Sequence, residues 1–517
     1  MIESCKKDIT HINWLAVDFD VVEQSVKILQ NRIVKAKLTG RTRMVKKLQS
    51  LLVKSLNARI LAVKRVSENK GKKTAGVDGK LLDTSIKKCK CVDELKIKLP
   101  DYKSMPLKRI EIPKKNGKLR PLGIPTMFDR SLQALYKLAL EPIAEVVADK
   151  NSYGFRPKRS TQDAMKQVWI CTSKRNGGEW ILEADIKGCF DNISHQWLYD
   201  NIPLDNRLLK QWLKSGFIKD DTLFPTDSGT PQGGIISPIL ANMVLDGIEE
   251  VVKRHKARFQ KMKDGVILYR HTNRLNFIRY ADDFVITGYS PKYLRLLQKD
   301  IEIFLNQRGL ELSKEKTHIT HIRDGFNFLG FNFRKYPNNK VIVKPTKDGI
   351  KSFKSKIKEI FKKYNSSSLS MLITKLNPLL RGWANYYRFV NSKVVFDKID
   401  TYIWRKSLNW MKRIHQRKET IKYYKQYFKP FPNYKSDVLS DGKQFVYRLA
   451  TLPLKEFIKI KSEANPYDKS FDEYFIKRYF ALKTSQKFSS VLEPYAGKVA
   501  STVLRRECHC EVMFLSD

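Results

Sequence analysis

The sequence predicts an α+β fold through its first two thirds, followed by a helical region. Two patterns support the mixed class: short alternating segments at 107–125, and apolar strands interleaved with helices from about 180 to 335. Beyond 345 the chain becomes rich in Lys, and Trp and Tyr recur at helical spacing. Of the 517 residues, 42% are hydrophobic and 11% aromatic, which is enough apolar material for packed cores.

The charge is strongly one-sided. The chain has 99 Lys and Arg against 53 Asp and Glu, a formal net charge of +46. So many positive charges repel one another in a folded protein, so a polyanionic partner is expected. Nucleic acid is the first candidate and an anionic membrane surface the second. The membrane alternative is weaker, because the most apolar stretch, 233–252, is interrupted by Pro238, Asp246 and Glu249. We also find no secretory signal or transit peptide at the start of the chain.

Cysteine usage indicates a reducing compartment. The seven cysteines are odd in number and scattered, without the spacing of a disulfide framework. Cys89 and Cys91 are separated by a single residue, whereas zinc knuckles use at least two, so we interpret this segment as surface, with a metal site as the second alternative.

The elements before residue 150 can be assigned in order. Apolar positions three and four apart predict helix over 14–66, and a glycine-punctuated loop follows at 69–80. Alternating residues around Asn116-Gly117 predict a hairpin over 107–125. A helix is expected from about Met127 to Asp149. Further on, FNFLGFNF (326–333) reads as an apolar strand, and the composition shifts near 340 and, more softly, after 415.

An acidic pair lies between two apolar runs. In NFIRYADDFVITG (276–288), the runs FIRY and FVIT predict two short strands that turn at Asp282-Asp283. Carboxylates on a hairpin tip can hold Mg²⁺ through oxygen ligands. The alternative is an ordinary Asp-Asp turn.

A second acid ends another predicted strand. WILEADIKGCFDNISH (180–195) is an apolar strand that ends in Asp185, followed by a turn and Phe190. Metal-dependent nucleotidyl transfer requires carboxylates from two strands, and Asp185 together with Asp282/Asp283 supplies them. A capping or turn aspartate would also explain Asp185.

These segments resemble the palm active site of reverse transcriptases. The neighbouring motifs agree with that resemblance, namely NSYGFRPKRSTQDA (151–164), GTPQGGIISPILANMVLDGIE (229–249), GLELSKEKT (309–317) and FNFLGF (326–331). Together with HINW (11–14), GVDG (76–79) and RGWANYYRF (381–389), they resemble one subgroup, the group II intron-encoded reverse transcriptase and maturase. The resemblance implies a right-hand polymerase: α+β fingers and palm, followed by an α-helical thumb and maturase domain.

The resemblance also implies a division of the chain. The expected parts are a helical extension and start of the fingers (1–80), fingers and palm (81–340), thumb and maturase domain X (341–415), a basic DNA-binding region (416–507) and a short tail (508–517). Relatives often end in an HNH endonuclease with paired cysteines and histidines. Only Cys508, His509 and Cys510 are present here, so we expect that module to be missing or truncated.

Catalytic roles follow from the resemblance. Asp185, Asp282 and Asp283 are the implied catalytic carboxylates, and they hold two Mg²⁺ ions together with the carbonyl of Ile186. The implied reaction is in-line attack of a primer 3′-hydroxyl on the α-phosphate of a deoxynucleoside triphosphate.

The same resemblance implies a nucleotide site. Lys114 and Arg120 match the residues that grip the triphosphate, although solvated hairpin charge would also explain both. Gln232 matches the residue beside the sugar, and Phe190 matches the steric gate against a 2′-hydroxyl, although a core aromatic is the alternative. Lys316 matches a proton donor to the leaving pyrophosphate.

Candidate RNA contacts come from basic residues interleaved with aromatics. These are Arg156, which has a structural alternative, and Arg381, Arg405 and Arg413 in the helical region. For the Trp and Tyr residues of that region we favour a role in the helical core, and for its Lys and Arg contacts with RNA.

The expected function is therefore an RNA-directed DNA polymerase that binds its group II intron RNA, assists splicing and copies the intron into cDNA. Its partners would be intron RNA, an RNA template, primer and target DNA, and deoxynucleoside triphosphates, with no membrane. The alternatives are a splicing-only maturase and a domesticated reverse transcriptase in host defence. The expected location is the cytoplasm of a bacterium, or a mitochondrion or plastid if the gene is organellar.

Overall fold

A computed structural model describes residues 13–97, 101–113, 117, 119–174, 177–219, 222–255, 258–263, 266–271, 274–416, 420–431 and 437–484. No helix in these ranges combines the length and the apolar character that crossing a bilayer requires.

Helices dominate both ends of the described chain. Those before the last third are α1 (Phe19–Leu38), α2 (Thr42–Lys54), α3 (Leu56–Glu68), α4 (Ser85–Ile97), α5 (Met127–Val147), α6 (Thr161–Ser173), α7 (Cys189–Asn192), α8 (His195–Asn201), α9 (Asn206–Leu213), α10 (Ser237–Leu245), α11 (Ile248–Arg254) and α12 (Pro291–Asn306). Those that follow are α13 (Lys347–Lys363), α14 (Leu369–Tyr387), α15 (Lys393–Ile414), α16 (Thr420–Tyr427) and α17 (Asp472–Thr484).

The strands are mostly short. They are β1 (Leu107–Pro113), β2 (Leu119–Ile124), β3 (Trp180–Ala184), β4 (Phe217–Lys219), β5 (Thr222–Phe224), β6 (Arg258–Lys263), β7 (Val266–His271), β8 (Asn276–Tyr280), β9 (Asp283–Gly288), β10 (His318–His321), β11 (Phe326–Phe328), β12 (Phe331–Lys335), β13 (Val341–Pro345), β14 (Phe428–Lys429) and β15 (Val438–Leu439).

The predicted N-terminal helical run is confirmed as three helices. Helix α1 begins where the Asp18 side chain accepts hydrogen bonds from the N–H groups of Asp20 and Val21. Its apolar stripe is buried, and α1, α2 and α3 contact one another and α5. The surface interpretation of the Cys89-Lys90-Cys91 segment is wrong for Cys91, which lies in α4 and is buried in the same core. Helical spacing places Cys91 on the inward face of α4 with Leu95.

The predicted hairpin over 107–125 is confirmed. Strands β1 and β2 pair antiparallel, with Lys108 opposite Ile124 and Pro113 opposite Leu119. Strand β1 also pairs in parallel with β4, which follows about a hundred residues later. The sheet order β2-β1-β4-β5 joins the hairpin to the chain beyond the first palm motif.

The palm sheet lies between two hydrophobic cores. Its order is β10-β3-β9-β8, with β9 antiparallel to both neighbours. Successive side chains of a strand face opposite sides. On β3, Leu182 joins the core formed with α1–α5, whereas Ile181 joins the core formed with α13–α15. Val285 of β9 also belongs to the second core. One sheet therefore fixes the helical region against the fingers side.

The segment expected to form a single strand at 326–333 forms two. Strands β11 and β12 are separated by a tight turn at Leu329-Gly330, both with positive φ, and β12 pairs with β13. The change in composition near 340 falls in the turn between β12 and β13. This small sheet belongs to the second core, so packing continues across the change.

The aromatic residues of the helical region form its core, as expected. Trp383 stacks on Phe353 at 4.3 Å between ring centroids and contacts Tyr387 at 4.7 Å. Tyr386 stacks on Phe331 of β12 at 5.2 Å. Helices α13, α14 and α15 are therefore tied by their rings to the β11-β12-β13 sheet.

A C-terminal strap, defined here as residues 453–484, returns from the helical region to the start of the molecule. Its Tyr467 hydroxyl donates to Glu141 of α5 at 2.6 Å. Asp472 pairs with Lys27 of α1 at 2.7 Å. The carbonyl of Ala464 accepts from Arg159, which precedes α6. The strap thus connects the helices that follow β13 with α1, α5 and the segment before α6.

Candidate active site

The register of the palm sheet brings the acids of two strands together. Ala184 of β3 lies opposite Phe284 of β9. Continuing that antiparallel register by one residue places Asp185 opposite Asp283, and Asp185 is close enough to raise the pKa of the Asp283 carboxyl group. The two acidic segments, 97 residues apart in sequence, therefore meet at one end of the sheet.

The turn between β8 and β9 is displaced by one residue from its predicted position. Tyr280 pairs with Asp283, so the turn consists of Ala281 and Asp282, and Asp283 is already in β9. Ala281 has a φ of 57°, in the left-handed region that costs a non-glycine residue about 1 kcal/mol. The tight turn holds Asp282 and Asp283 on the tip of the hairpin.

Burial and neighbouring acids raise the pKa of Asp282 and of Asp283. Burial and the neighbouring charge of Asp185 raise the pKa of Asp282, whereas Arg120 and Lys316 oppose the rise. Burial, the charge of Asp282 and the hydrogen bond with Asp185 raise the pKa of Asp283 to about 7. Asp283 stays accessible to solvent although surrounding atoms crowd its carboxyl group. Carboxyl groups crowded in this way form a site that favours a bound cation.

Lys316 lies directly on the acidic group. Its Nζ is 2.7 Å from Oδ2 of Asp185, and two-thirds of its side chain is exposed. The hydrogen bond with Asp185 raises the pKa of Lys316, so it carries a positive charge at neutral pH. The backbone holds this contact, because the N–H of Ser313 donates to the carbonyl of Asp185.

Ile186 is buried, and its main chain pairs with Leu312 in an isolated bridge. The bonds beside this bridge run from the N–H of Lys187 to Glu311 and from the N–H of Ser313 to Asp185. Neither uses the carbonyl of Ile186. The Ile186 carbonyl, which the resemblance implies as a metal ligand, follows directly after Asp185 in the chain.

The donor set fits magnesium in its chemistry. Within the described ranges, no three His, Cys, Asp or Glu side chains already stand in a geometry that encloses a metal ion. Three crowded carboxylates and a backbone carbonyl are nevertheless the hard oxygen donors that Mg²⁺ prefers.

A hydrogen-bonded chain joins the fingers hairpin to the palm beside these acids. Nε of Arg120, on β2, donates to Oε1 of Gln232 at 2.7 Å. Nε2 of Gln232 donates to both carboxylate oxygens of Asp191, at 3.0 and 3.1 Å. Arg120 and Gln232, which the resemblance assigned separately to the nucleotide site, are thus in contact, whereas Asp191 was not predicted. Lys114 lies outside the described residues.

The glycine of the PQG motif permits this approach. Gly233 has a φ of 115°, and a Cβ there would lie 2.7 Å from the carbonyl oxygen of Gly123 in β2. The N–H of Gly123 donates to the carbonyl of Gln232. A side chain at 233 would push the fingers hairpin away from Gln232.

Phe190 lies on α7 and is half-buried. Its ring meets that of Phe155 edge to face at 6.2 Å. Phe155 is 49% exposed and has a φ of 58°. The Phe190 ring packs partly against the first core and contacts Phe155, and its partial exposure is compatible with both a gate and a packing role.

The NSYGFR segment supports the acidic turn from behind. Ser152 forms a parallel bridge with Arg279, and a Cβ on Gly154 would lie 2.3 Å from the N atom of Ala281. Arg279 is fully buried, pairs with Asp246 at 2.5 Å and donates to the carbonyl of Ala281. Sequence reasoning missed this support, although an Arg within an apolar strand could have indicated a buried ion pair.

Arg156 is placed away from the surface. It is 8% exposed, and its guanidinium donates to Glu145 at 2.8 and 2.9 Å and to the carbonyls of Asp149 and Ser152. Every arm of the side chain is used within the palm. This placement contradicts the RNA-contact interpretation of Arg156 and supports its structural alternative, because a buried guanidinium that is fully paired cannot reach a phosphate.

The other candidate RNA contacts are exposed. Arg381 on α14 lies over the ring of Tyr447 at 5.5 Å. Arg413 on α15 donates to Asn365 at 3.3 Å. Arg405 is exposed on the same helix. All three stand on the solvent side of the helices whose aromatics form the second core.

Family comparisons agree with this architecture. Residues 112–333 match the model for reverse transcriptase (RNA-dependent DNA polymerase), and residues 14–95 match the N-terminal domain of reverse transcriptase. Residues 350–428, which span α13 to the start of β14, match the maturase-specific domain of group II introns.

The group II intron-encoded protein LtrA of Lactococcus lactis subsp. cremoris is 30% identical over 437 residues, which cover 68% of this chain and 72% of LtrA. The chain belongs to the family of group II intron-encoded reverse transcriptases and maturases. Within this comparison, protein YkfC of Escherichia coli (strain K12) is 32% identical over 294 residues, covering 51% of this chain and 76% of YkfC. A putative COX1/OXI3 intron 1 protein of Saccharomyces cerevisiae is 28% identical over 334 residues, covering 55% of this chain and 39% of that protein.

The family assignment establishes the polymerase fold predicted from the sequence. A reverse transcriptase domain is followed by a maturase domain. The first consists of mixed sheets and helices, and the second is mainly helical.

Proposed function

We propose that this chain is an active RNA-directed DNA polymerase that also binds its group II intron RNA and assists splicing. The observation that carries the proposal is the meeting of Asp185 with Asp283 at the end of the palm sheet, beside Asp282 on the tight turn. A splicing factor that had lost polymerase activity would have no need to keep three crowded acids that repel one another.

The acids have distinct positions in the proposed reaction. Asp185, Asp282 and Asp283, with the carbonyl of Ile186, would hold Mg²⁺. When bound, Mg²⁺ stabilises the negative charge on the attacking and leaving oxygens of nucleotidyl transfer. The chain itself orients these ligands through the β3–β9 register and the Ala281-Asp282 turn.

Basic residues would serve the triphosphate. Arg120 lies close enough to the acids to lower the pKa of Asp282, so its charge faces the same space. Lys114, on the same hairpin, is assigned the same role by its position in the sequence. Lys316 is protonated beside Asp185 and can donate a proton to the leaving pyrophosphate.

Two further residues would select the nucleotide. Gln232 is fixed beside Arg120 and is assigned to the sugar of the incoming nucleotide. Phe190 is assigned by its motif position as the ring that would collide with a 2′-hydroxyl and favour deoxynucleotides. This arrangement makes a deoxynucleoside triphosphate the proposed substrate and a primer on an RNA template its acceptor.

The helical region would bind the intron. Arg381, Arg405 and Arg413 offer positive charge on a rigid aromatic core, which suits phosphate contacts with a folded RNA. Contacts made only with the folded intron shift its equilibrium towards the splicing-competent form. The RNA would supply the splicing chemistry itself.

We assign the chain as a helical extension and start of the fingers (1–80), fingers and palm (81–340), thumb and maturase domain (341–415) and a basic region (416–507) that approaches target DNA. Residues 508–517, where the endonuclease module was expected to be missing or truncated, lie outside the described residues. We propose the cytoplasm of a bacterium as the compartment, with an organelle as the alternative, because relatives occur in a bacterium and in yeast.

Primer extension combined with splicing of the flanking intron at low Mg²⁺ tests both proposed activities. We expect the purified protein to extend a DNA primer on an RNA template and to raise the splicing rate. Splicing assistance without extension would contradict the polymerase proposal and favour a splicing-only maturase. Extension without splicing assistance would favour a reverse transcriptase in another cellular role.

A further inference from the structure

Asp191 accepts two hydrogen bonds from a residue of the proposed nucleotide site. It follows Phe190 on α7, and both of its carboxylate oxygens lie within 3.1 Å of Nε2 of Gln232. An ionised carboxylate accepts hydrogen bonds and cannot donate them. Asp191 therefore requires the amino end of the Gln232 amide to face it.

The other end of the same amide is held by the opposite kind of group. Nε of Arg120 donates to Oε1 of Gln232 at 2.7 Å, and a guanidinium is a donor only. The two ends of a glutamine amide are nearly equal in shape, so an unsupported amide can flip. With Asp191 on one side and Arg120 on the other, only one orientation of Gln232 satisfies both partners.

The backbone fixes the distance between Asp191 and Gln232. The hydroxyl of Ser228 donates to the carbonyl of Asp191 at 3.1 Å, and the N–H of Thr230 donates to the carbonyl of Phe190 at 2.6 Å. Gly229 lies between them with a φ of 82°, and a Cβ there would be 2.5 Å from the carbonyl oxygen of Phe190. Helix α7 and the PQG loop are thus locked together along several residues.

We propose that Asp191 is a positioning residue for nucleotide binding, acting through Gln232 and, beyond it, Arg120. This inference rests on the proposed polymerase function. Asp191 holds the Gln232 amide in one orientation and, by way of its Oε1, directs the Arg120 guanidinium that faces the acids. Loss of Asp191 frees the amide and weakens the binding of the deoxynucleoside triphosphate, whereas the carboxylates that carry the chemistry stay in place.

Steady-state extension of a DNA primer on an RNA template tests the role through KM for the deoxynucleotide and kcat. Asp191→Ala is expected to raise KM about tenfold with kcat changed by less than about threefold, since hydrogen bonds to a charged group are lost. Asp191→Asn keeps an acceptor oxygen for Gln232 and is expected to recover most of the affinity. In a Gln232→Ala background, Asp191→Ala is expected to add no further increase in KM.

Helix α8 supplies a matched control. Nε2 of Gln196 donates to both oxygens of Asp200, at 2.9 and 3.0 Å, the same contact on an exposed helix. Asp200→Ala is therefore expected to leave KM unchanged.

Each outcome decides the inference. A wild-type KM in Asp191→Ala, or an additive increase in the Gln232→Ala background, would overturn the positioning role while the polymerase proposal stands. A loss in Asp191→Ala that Asp191→Asn does not relieve would also overturn it. A wild-type protein that extends no primer would overturn both proposals.

Discussion

Arg478 of α17 and Asp163 of α6 form a buried ion pair at 2.7 Å, although 315 residues separate them. Asp163 is fully buried and also caps its own helix by accepting from Ser160. The same carboxylate accepts from the N–H of Ile460 at 2.7 Å. One side chain therefore starts a palm helix and anchors the C-terminal strap.

Loss of this anchor should release the strap. Arg478→Ala leaves the buried Asp163 carboxylate without its cation, which costs about 3 kcal/mol for a buried pair. We expect normal addition of the first nucleotide but shorter cDNA products per binding event, because the strap loses one of its anchors on the palm while the core between palm and helical region stays intact. Product lengths with a competitor trap measure this effect.

The neighbouring Lys477 provides the control. It pairs locally with Glu473 on the exposed side of α17. Lys477→Ala is expected to keep product lengths at the wild-type value. Equal product lengths for Arg478→Ala and wild type would show that the strap does not contribute to processive synthesis.

The ion pair beneath the acidic turn should matter for both stability and activity. Arg279→Met leaves Asp246 buried and unpaired, at a cost of about 3 kcal/mol or more, and removes the donor to the carbonyl of Ala281. Combining Arg279→Met with Asp246→Leu should recover part of the stability, because the unpaired charge is gone. We expect primer extension to stay low in the double variant, since the turn has lost its support.

Thermal unfolding and primer extension of the single and double variants test this separation. Recovery of both stability and extension in the double variant would mean that Arg279 acts only by neutralising Asp246. Full extension by Arg279→Met alone would show that the turn needs no support from this side chain.

The ring of Phe190 should determine sugar selection. Phe190→Ala is expected to reduce discrimination between deoxy- and ribonucleotides by at least about tenfold, because the space for a 2′-hydroxyl opens. Phe155→Ala removes the ring that supports Phe190 edge to face and should give a smaller change. Relative kcat/KM for the two nucleotides is the measurement, and unchanged discrimination in Phe190→Ala would refute the gate.

The maturase core should show a pH dependence of its own. Burial raises the pKa of Asp400 from its ordinary value near 3.8 to about 6, although the N–H groups of Leu449 and Ala450 donate to it. The native state therefore binds a proton that the unfolded state releases. Ionisation of the buried Asp400 therefore lowers the free energy of unfolding. This loss is absent below pH 4 and grows to about 3 kcal/mol as the pH rises through 6.

Asp400→Asn cannot titrate, so the penalty disappears in this variant. Relative to Asp400→Asn, the denaturation midpoint of the wild-type helical region should fall between pH 4 and pH 6. A constant difference between the two midpoints across this interval would contradict the raised pKa.

Local pattern was sufficient for much of the fold. Alternation predicted the 107–125 hairpin, helical spacing predicted α5, and the apolar runs on either side of the Asp282-Asp283 pair predicted β8 and β9. Each of these depends on neighbours in sequence, which periodicity reports directly.

Long-range pairings were not visible in the sequence. The parallel bridge between Ser152 and Arg279, the pairing of β1 with β4 and the bond between Arg478 and Asp163 join residues far apart in the chain. The misprediction of Arg156 has a different reason: its partners Glu145, Asp149 and Ser152 are near in sequence, but the sequence does not show that the fold buries this arginine among them. The strap (453–484) also lies within 416–507, the region that was expected to bind DNA.

Primer extension by Asp282→Ala tests the central claim most directly. The variant removes one carboxylate from the group formed with Asp185 and Asp283, and Asp324→Ala, in an exposed turn, serves as the control. We expect no Mg²⁺-dependent extension by Asp282→Ala, with intron RNA binding within about twofold of wild type, because the proposed RNA contacts lie on α14 and α15. Extension at the wild-type rate would contradict the assignment of these acids as the polymerase centre.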